Sequence, residues 1–151
     1  MYRRILVPLD GSKKSEQALP LACQLALPEG AEVVLLVAIH LGQVLFVERQ
    51  DRLPTNFEQL HQQQHDEAQV YLAEHKKELE QRGLRVGVVV CEGDPRDAIL
   101  EESRQRQVDL IVMTSAGKGN WMRWLSGSIA DQVLRRAPCP VLVVRPPAAS
   151  A

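Results

Sequence analysis

The segment 114–128 reads Thr-Ser-Ala-Gly-Lys-Gly-Asn-Trp-Met-Arg-Trp-Leu-Ser-Gly-Ser and concentrates the residue types that cradle a phosphate. Small residues at Ser115, Ala116, Gly117 and Gly119 let backbone come close to a ligand. Gly127 and Ser128 stand just before an apolar helical pattern. At such a helix start, unpaired amides and the helix dipole favour an anion. Ser128 adds a hydroxyl donor, and Lys118 and Arg123 could add positive charge. A second reading needs no ligand: Ser128-x-x-Asp131 resembles a capping box, in which the serine satisfies the first amides of its own helix. The segment is neither a GxxxxGK[ST] phosphate loop nor a GxGxxG dinucleotide turn.

Few other residues have spacing suited to chemistry. His61 and His65 stand four apart, as two metal ligands on one helix face would. Only Gln62, Gln63 and Gln64 lie between them and no third ligand is evident, so a solvated helix face is expected. Ser12, Ser115, Ser126 and Ser128 have no histidine at a strand end except His40, which leaves no Ser/His/Asp triad. Cys23, Cys91 and Cys139 are scattered, without CxxC spacing. They read as buried free thiols, in keeping with a reducing, cytoplasmic setting. Trp121 and Trp124 suit either a lid packed over the sheet edge or an anchor for a partner.

The elements that must position segment 114–128 follow from the apolar pattern. Strands are expected at 3–9, 32–39, 85–91, 108–114 and 141–145. Their near-continuous apolar runs, such as Val33 to Val37, fit strands covered on both faces. Helices are expected at 13–27, 57–81, 96–105 and 129–136. Ser12 is the candidate N-cap of the first, with Ala18, Leu21, Ala22 and Leu25 facing inward and Pro20 a candidate kink. Leu60, Ala68, Tyr71, Leu72, His75 and Leu79 make the stripe of the second helix. Ala98, Ile99 and Ser103 face inward on the third. Residues 40–56, with Gly42 and Pro54, read as a long mobile loop. Strict β-α alternation implies one parallel sheet with helices on both faces. Ligands of such sheets bind beyond the carboxyl ends of the strands, at the switch in strand order. Asp10, after the first strand, and Thr114, after the fourth, are the two strand ends that qualify.

Bulk properties narrow the partners. A chain of 151 residues with net charge −1 suits one domain and gives no electrostatic reason to bind nucleic acid or an anionic membrane. The opening apolar run, Ile5 to Leu9, is broken by Pro8 and is too short for a secretory or membrane-spanning segment.

Taken together, several motifs make the chain resemble the universal stress protein family from Ile5 to Arg145. They are Ile5-Leu6-Val7-Pro8-Leu9-Asp10-Gly11-Ser12, Gly93-Asp94-Pro95, Asp109-Leu110-Ile111-Val112-Met113, Gly117 with Gly127-Ser128, and Ala137-Pro138-Cys139-Pro140-Val141-Leu142-Val143-Val144-Arg145. The resemblance implies an adenine nucleotide alpha hydrolase-like α/β fold, a single domain with strand order 3-2-1-4-5. That domain would span residues 1–146, with 147–151 a flexible C-terminal tail. The resemblance also implies a regulatory, ATP- or AMP-binding stress protein, possible Mg²⁺ included, that is no enzyme beyond slow ATP hydrolysis. The family's ATP-binding pattern is Gly-x2-Gly-x9-Gly-[Ser/Thr]. Gly117, Gly127 and Ser128 match it, whereas Thr114 replaces its first glycine. Thr114 either obstructs a ribose or phosphate or donates its hydroxyl to one. By resemblance the nucleotide site comprises Pro8, Leu9, Asp10, Ala38, Met113, Thr114, Ser115, Gly117, Lys118, Gly127, Ser128 and Ile129. Asp10 would lie near the ribose or adenine, and the backbone of Ala38 near the adenine edge. The residues themselves also allow Asp10 to be a turn residue and Ala38 plain strand core. The implied fifth strand is a sheet edge, so Val141, Leu142, Val143 and Val144 are expected to pair with a second copy. The competing functional reading is a stress-response protein that binds no nucleotide and acts through its homodimer and an unknown protein partner.

Overall fold

A computed structural model describes residues 1–40, 57–115 and 128–145, with backbone only at Phe57 and Ser128. Residues 41–56, which make up nearly all of the expected loop, lie outside the described set, as do residues 116–127 and 146–151.

The strands are β1 (Arg4–Leu9), β2 (Glu32–Ile39), β3 (Arg85–Glu92), β4 (Leu110–Thr114) and β5 (Val141–Val144). The helices are α1 (Ala18–Ala26), α2 (Phe57–Gln81), α3 (Pro95–Gln105) and α4 (Ser128–Arg136). All strand pairs are parallel and the order is β3-β2-β1-β4-β5, as the resemblance implies. Side chains alternate across the sheet and so build two cores. Ile5, Val7, Leu9, Val33, Leu35 and Val37 pack with Ala22 of α1 and Ala68, Leu72 and Leu79 of α2. Leu6, Val34, Leu36, Ile111 and Met113 pack with Ile99 of α3 and Ile129 and Val133 of α4. The central strands are buried except for Arg4 and Glu32 at the starts of β1 and β2, whereas β3 and β5, at the two edges, are mostly half-buried.

Several expectations at element ends need correction. The first helix begins later than residue 13. A 3-10 turn, Ser15–Gln17, comes first, and α1 starts at Ala18 without a side-chain cap. Pro20 therefore falls in the first helical turn, where an N–H would have no partner within the helix, and no kink is required. Ser12 still holds the preceding turn, since its Oγ accepts from the Ser15 amide at 3.0 Å. The inward face of α1 is Ala18, Leu19, Ala22, Cys23 and Ala26, while Leu21 and Leu25 are half-buried. Gly30 ends this unit in the left-handed conformation, φ 63°, which a glycine adopts without a Cβ penalty.

The fourth strand also begins later than residue 108, because Asp109 has another task. Its carboxylate accepts from the amides of Arg3 at 2.7 Å and Arg4 at 3.1 Å. This clamps the foot of β1 to β4. α3 begins one residue before 96, and Pro95 occupies its first position. Asp94 is the N-cap and accepts from the Arg96 amide at 2.8 Å. Only Cys23 among the cysteines is buried; Cys91 and Cys139 are half-buried, and all three are free.

Candidate nucleotide site

Strand order reverses between β1 and β4: the chain leaves β1 for β2 on one side, while β4 and β5 lie on the other. The β1–β4 ladder holds only Ile5↔Leu110 and Leu6↔Ile111, low in the sheet. The β1–β2 ladder, by contrast, runs without interruption to Leu9↔Val37. A crevice between the upper parts of β1 and β4 is where an open parallel sheet accepts a ligand.

The fold brings Pro8, Leu9, Asp10, Met113, Thr114 and Ser115 to that crevice. Carrying the β1–β4 register upward puts Pro8 level with Met113 and Leu9 level with Thr114. Ala38 lies one strand away on β2, beside Cys91 of β3. Its side chain is buried in the core on the α3–α4 face, leaving its backbone as the part available to a ligand. Ile129 packs in the same core, in the first turn of α4. Gly117, Lys118 and Gly127 lie outside the described residues, and Ser128 is described by its backbone alone, as the first residue of α4. Trp121 and Trp124 also lie outside. Thr114 is 1% exposed, so its side chain is packed into the end of β4.

Asp10 follows the last residue of β1 at this strand end and is fully buried. Its Oδ1 accepts from the Ser12 amide at 2.8 Å, an Asx-type turn in which Gly11 takes φ 85°. The turn reading of Asp10 is thus correct as far as one oxygen goes. Its Oδ2 has no partner among the described residues. Buried polar atoms are nearly always paired, so an orphan oxygen at a strand end calls for a donor. Around Asp10 the polar groups are linked. Its amide donates to Ser15 Oγ at 3.2 Å, and Ser15 Oγ donates to the Ser12 carbonyl at 2.8 Å. Next along the chain, Glu16 accepts the Tyr71 hydroxyl of α2 at 2.8 Å. Burial, then the hydrogen bond and charge of Glu16 and the charge of Asp10, push the Tyr71 phenol up, so it is a donor at any ordinary pH.

Sequence reasoning missed Ser15 and Glu16. Both fell within the expected helix 13–27, and nothing in their spacing revealed a partly buried polar network. The histidines correct another expectation. His61 and His65 are half-buried and do not form a solvated face, whereas His75 is half-buried in keeping with its place in the α2 stripe. His61 Nε2 lies 2.8 Å from Glu92 Oε1, and the His75 ring meets Tyr71 edge-on at 4.7 Å. No group of three or more His, Cys, Asp or Glu among the described residues could hold a metal.

The cysteines are poorly suited to nucleophilic work. Burial, followed by the neighbouring Glu102, pushes the Cys91 thiol up to about 12. Burial also raises Cys23 and Cys139. A cavity of about 500 Å³ lies away from the crevice, where β3 ends and α3 begins. Glu92, Asp94, Asp97, Glu101 and Glu102 line it together with Arg104 and Arg136, a lining that is negative on balance and does not favour a phosphate.

The model of the universal stress protein family matches residues 1–145. The chain belongs to that family. Among curated relatives, universal stress protein MJ0531 of Methanocaldococcus jannaschii is 32% identical over 147 residues, covering 97% of this chain and 84% of that protein. Of solved structures, that of the hypothetical protein MJ0577 superposes with a TM-score of 0.82 at 32% identity, covering 99% of each chain. Two more distant structures share the fold and hold nucleotides. A universal stress protein in complex with cAMP has a TM-score of 0.68 at 23% identity, covering 96% of this chain and 98% of its own. A family protein of Arabidopsis thaliana with AMP bound has 0.62 at 16%, covering 97% and 93%. Among the described residues of this universal stress protein, no helix is long and apolar enough to cross a membrane.

Proposed function

We propose that this universal stress protein binds an adenine nucleotide, ATP or AMP, in the crevice beyond β1 and β4, and that it acts as a cytoplasmic regulator. The observation that carries this reading is the buried Asp10 with one oxygen fixed by its turn and the other without a donor among the described residues. A ribose offers adjacent hydroxyl donors, which suit a fixed carboxylate acceptor. The cAMP- and AMP-bound relatives support the choice of an adenine nucleotide. The base would lie toward Ala38 and Met113. The phosphates would meet Ser115, Gly117, Lys118 and Gly127-Ser128, at the start of α4, where helix amides favour an anion. Mg²⁺ would travel on the phosphates, since it keeps several waters and needs few protein ligands. Any ATP hydrolysis would be slow, since no general base is positioned at the phosphates among the described residues. Residues 1–146 would act as one domain and dimerise across Val141–Val144.

Titration calorimetry with AMP and with ATP, with and without Mg²⁺, tests the proposal. Saturable binding at or below millimolar ligand supports it, and no heat and no thermal shift at millimolar ligand defeats it. One observation favours the second reading, a protein that works through partners without a nucleotide. Thr114, at the position of the family's first motif glycine, is packed and buried. Thr114→Gly separates the cases. Tighter binding identifies the threonine as an obstruction, and weaker binding identifies its hydroxyl as a ligand contact.

A further inference from the structure

The polar groups beneath Asp10 form one connected path to α2. Tyr71 donates its hydroxyl to Glu16 Oε2 at 2.8 Å. The Glu16 amide donates to the Ser12 carbonyl at 3.3 Å, and Ser15 Oγ donates to the same carbonyl at 2.8 Å. The Ser15 amide returns to Ser12 Oγ at 3.0 Å, Ser15 Oγ accepts from the Asp10 amide at 3.2 Å, and the Ser12 amide donates to Asp10 Oδ1 at 2.8 Å. Each member restrains the next, and Asp10 Oδ2 stands at the free end.

Glu16 has a second effect on this path. Besides the Tyr71 hydroxyl, Lys13 Nζ lies 3.6 Å and His75 Nε2 3.8 Å from its Oε1. Glu16 thus draws Lys13, Tyr71 and His75 to one carboxylate beside the turn. We propose that Tyr71 is a positioning residue for ribose recognition: through Glu16 and the Ser12–Ser15 turn, it fixes the Asp10 carboxylate and leaves Oδ2 for a ribose hydroxyl. This deepens the nucleotide reading and rests on it for the identity of the ligand. It also assigns α2 a polar part in the site, beside its packing against Leu9 through Ala68 and Leu72. Tyr71 is tied to its place by more than this bond: its ring packs against the α1–α2 core and meets His75 edge-on. A phenylalanine preserves both contacts and removes only the hydroxyl.

Tyr71→Phe is therefore the test, read with two ligands and once without any. For the full chain, AMP affinity should fall about five- to tenfold, the equivalent of one lost hydrogen bond. Affinity for 2′,3′-dideoxy-AMP, which has no ribose hydroxyl for Asp10 to accept from, should change less than about twofold. Glu16→Gln keeps an acceptor for the phenol and should lose less AMP affinity than Tyr71→Phe. In the ligand-free protein, hydrogen exchange at the Ser12 and Ser15 amides should speed up in Tyr71→Phe, while the β1 amides keep their protection. Equal losses for AMP and its dideoxy form, or unchanged exchange at Ser12 and Ser15, would overturn the assignment. If the unaltered protein binds neither nucleotide, the proposed function fails, and the exchange result still decides whether Tyr71 orders the Asp10 turn.

Discussion

Asp10→Asn should make the ligand-free protein more stable and its nucleotide complex weaker. The carboxylate is fully buried, with Oδ1 held by the Ser12 amide and Oδ2 without a partner among the described residues. A buried acceptor left unmade costs ~1–3 kcal/mol, more if charged. Asparagine keeps the Oδ1 acceptor and exchanges the anionic oxygen for a neutral amide, whose own unmet donors cancel part of the gain. The net expectation is ~1 kcal/mol of added stability, or a Tm higher by ~2–4 °C for a domain of this size. The same change removes a charged acceptor from the ribose, worth ~1.5–3 kcal/mol, so AMP should bind roughly ten- to a hundredfold more weakly. Urea denaturation with and without AMP reads both effects. Ligand at a hundred times Kd stabilises by ~2.7 kcal/mol, so the two proteins should exchange rank when AMP is added. A variant that is less stable without ligand yet binds AMP as tightly as the parent would refute the reasoning at its base. Asp10 would then be a structural turn residue, its second oxygen satisfied from elsewhere. The predicted inversion is the behaviour of a site that carries strain for function.

Other perturbations have defined outcomes. Asp94→Ala removes the N-cap of α3 and should cost about 1 kcal/mol in denaturation. The hydrogen bond from Arg96 holds the Asp94 carboxyl below its ordinary value of 3.8, outweighing burial. Its stabilisation is therefore complete above that value and is lost as pH falls through the lower folded one; an Asp94→Asn protein should lack this part of the acid limb. Cys91, with its thiol pushed up to about 12, should resist iodoacetamide at pH 7.5 in the folded protein and react after unfolding, as read by mass spectrometry. Val143 is half-buried on edge strand β5 and belongs to neither core cluster. Val143→Glu should therefore release monomers in sedimentation while leaving stability nearly unchanged, and unchanged sedimentation would count against the edge-strand dimer.

The sheet was legible because its strands are buried on both faces and read as apolar runs bounded by turn residues. β2 and α2 fall at the expected residues, Glu32–Ile39 and Phe57–Gln81. Strand order was not legible from periodicity at all. It came from motifs spread over the chain, which together specify a family, and the β3-β2-β1-β4-β5 order agrees. The misreadings share a cause, side chains that bond to backbone instead of following the local pattern. Asp109 accepts from Arg3 and Arg4 and delays β4. Ser12 and Ser15 bond within their own turn and delay α1. Short polar side chains compete with regular structure in this way, and a period count is blind to them.

The site divides along the same line. Its strand-end positions, Asp10 and Thr114, follow from topology, because a parallel sheet offers a ligand its carboxyl ends wherever strand order reverses. The proposed restraint on Asp10 does not follow, since Tyr71 is 61 residues away in sequence and looked like part of an apolar stripe. A tyrosine in such a stripe is legible as core through its ring and illegible as a donor through its hydroxyl. Only the three-dimensional partner, Glu16 at 2.8 Å, reveals the second role. The Gly-x2-Gly-x9-Gly-[Ser/Thr] pattern therefore describes half of a nucleotide site, the half that lets backbone approach a phosphate. In the proposed site the other half is the buried Asp10 carboxylate with its hydrogen-bonded turn, and the link from that turn to Tyr71 carries no motif. A chain that departs from the pattern at Thr114 can retain that second half intact. Ribose recognition and phosphate recognition should then fail separately under mutation, the first at Asp10 and the second at Gly127.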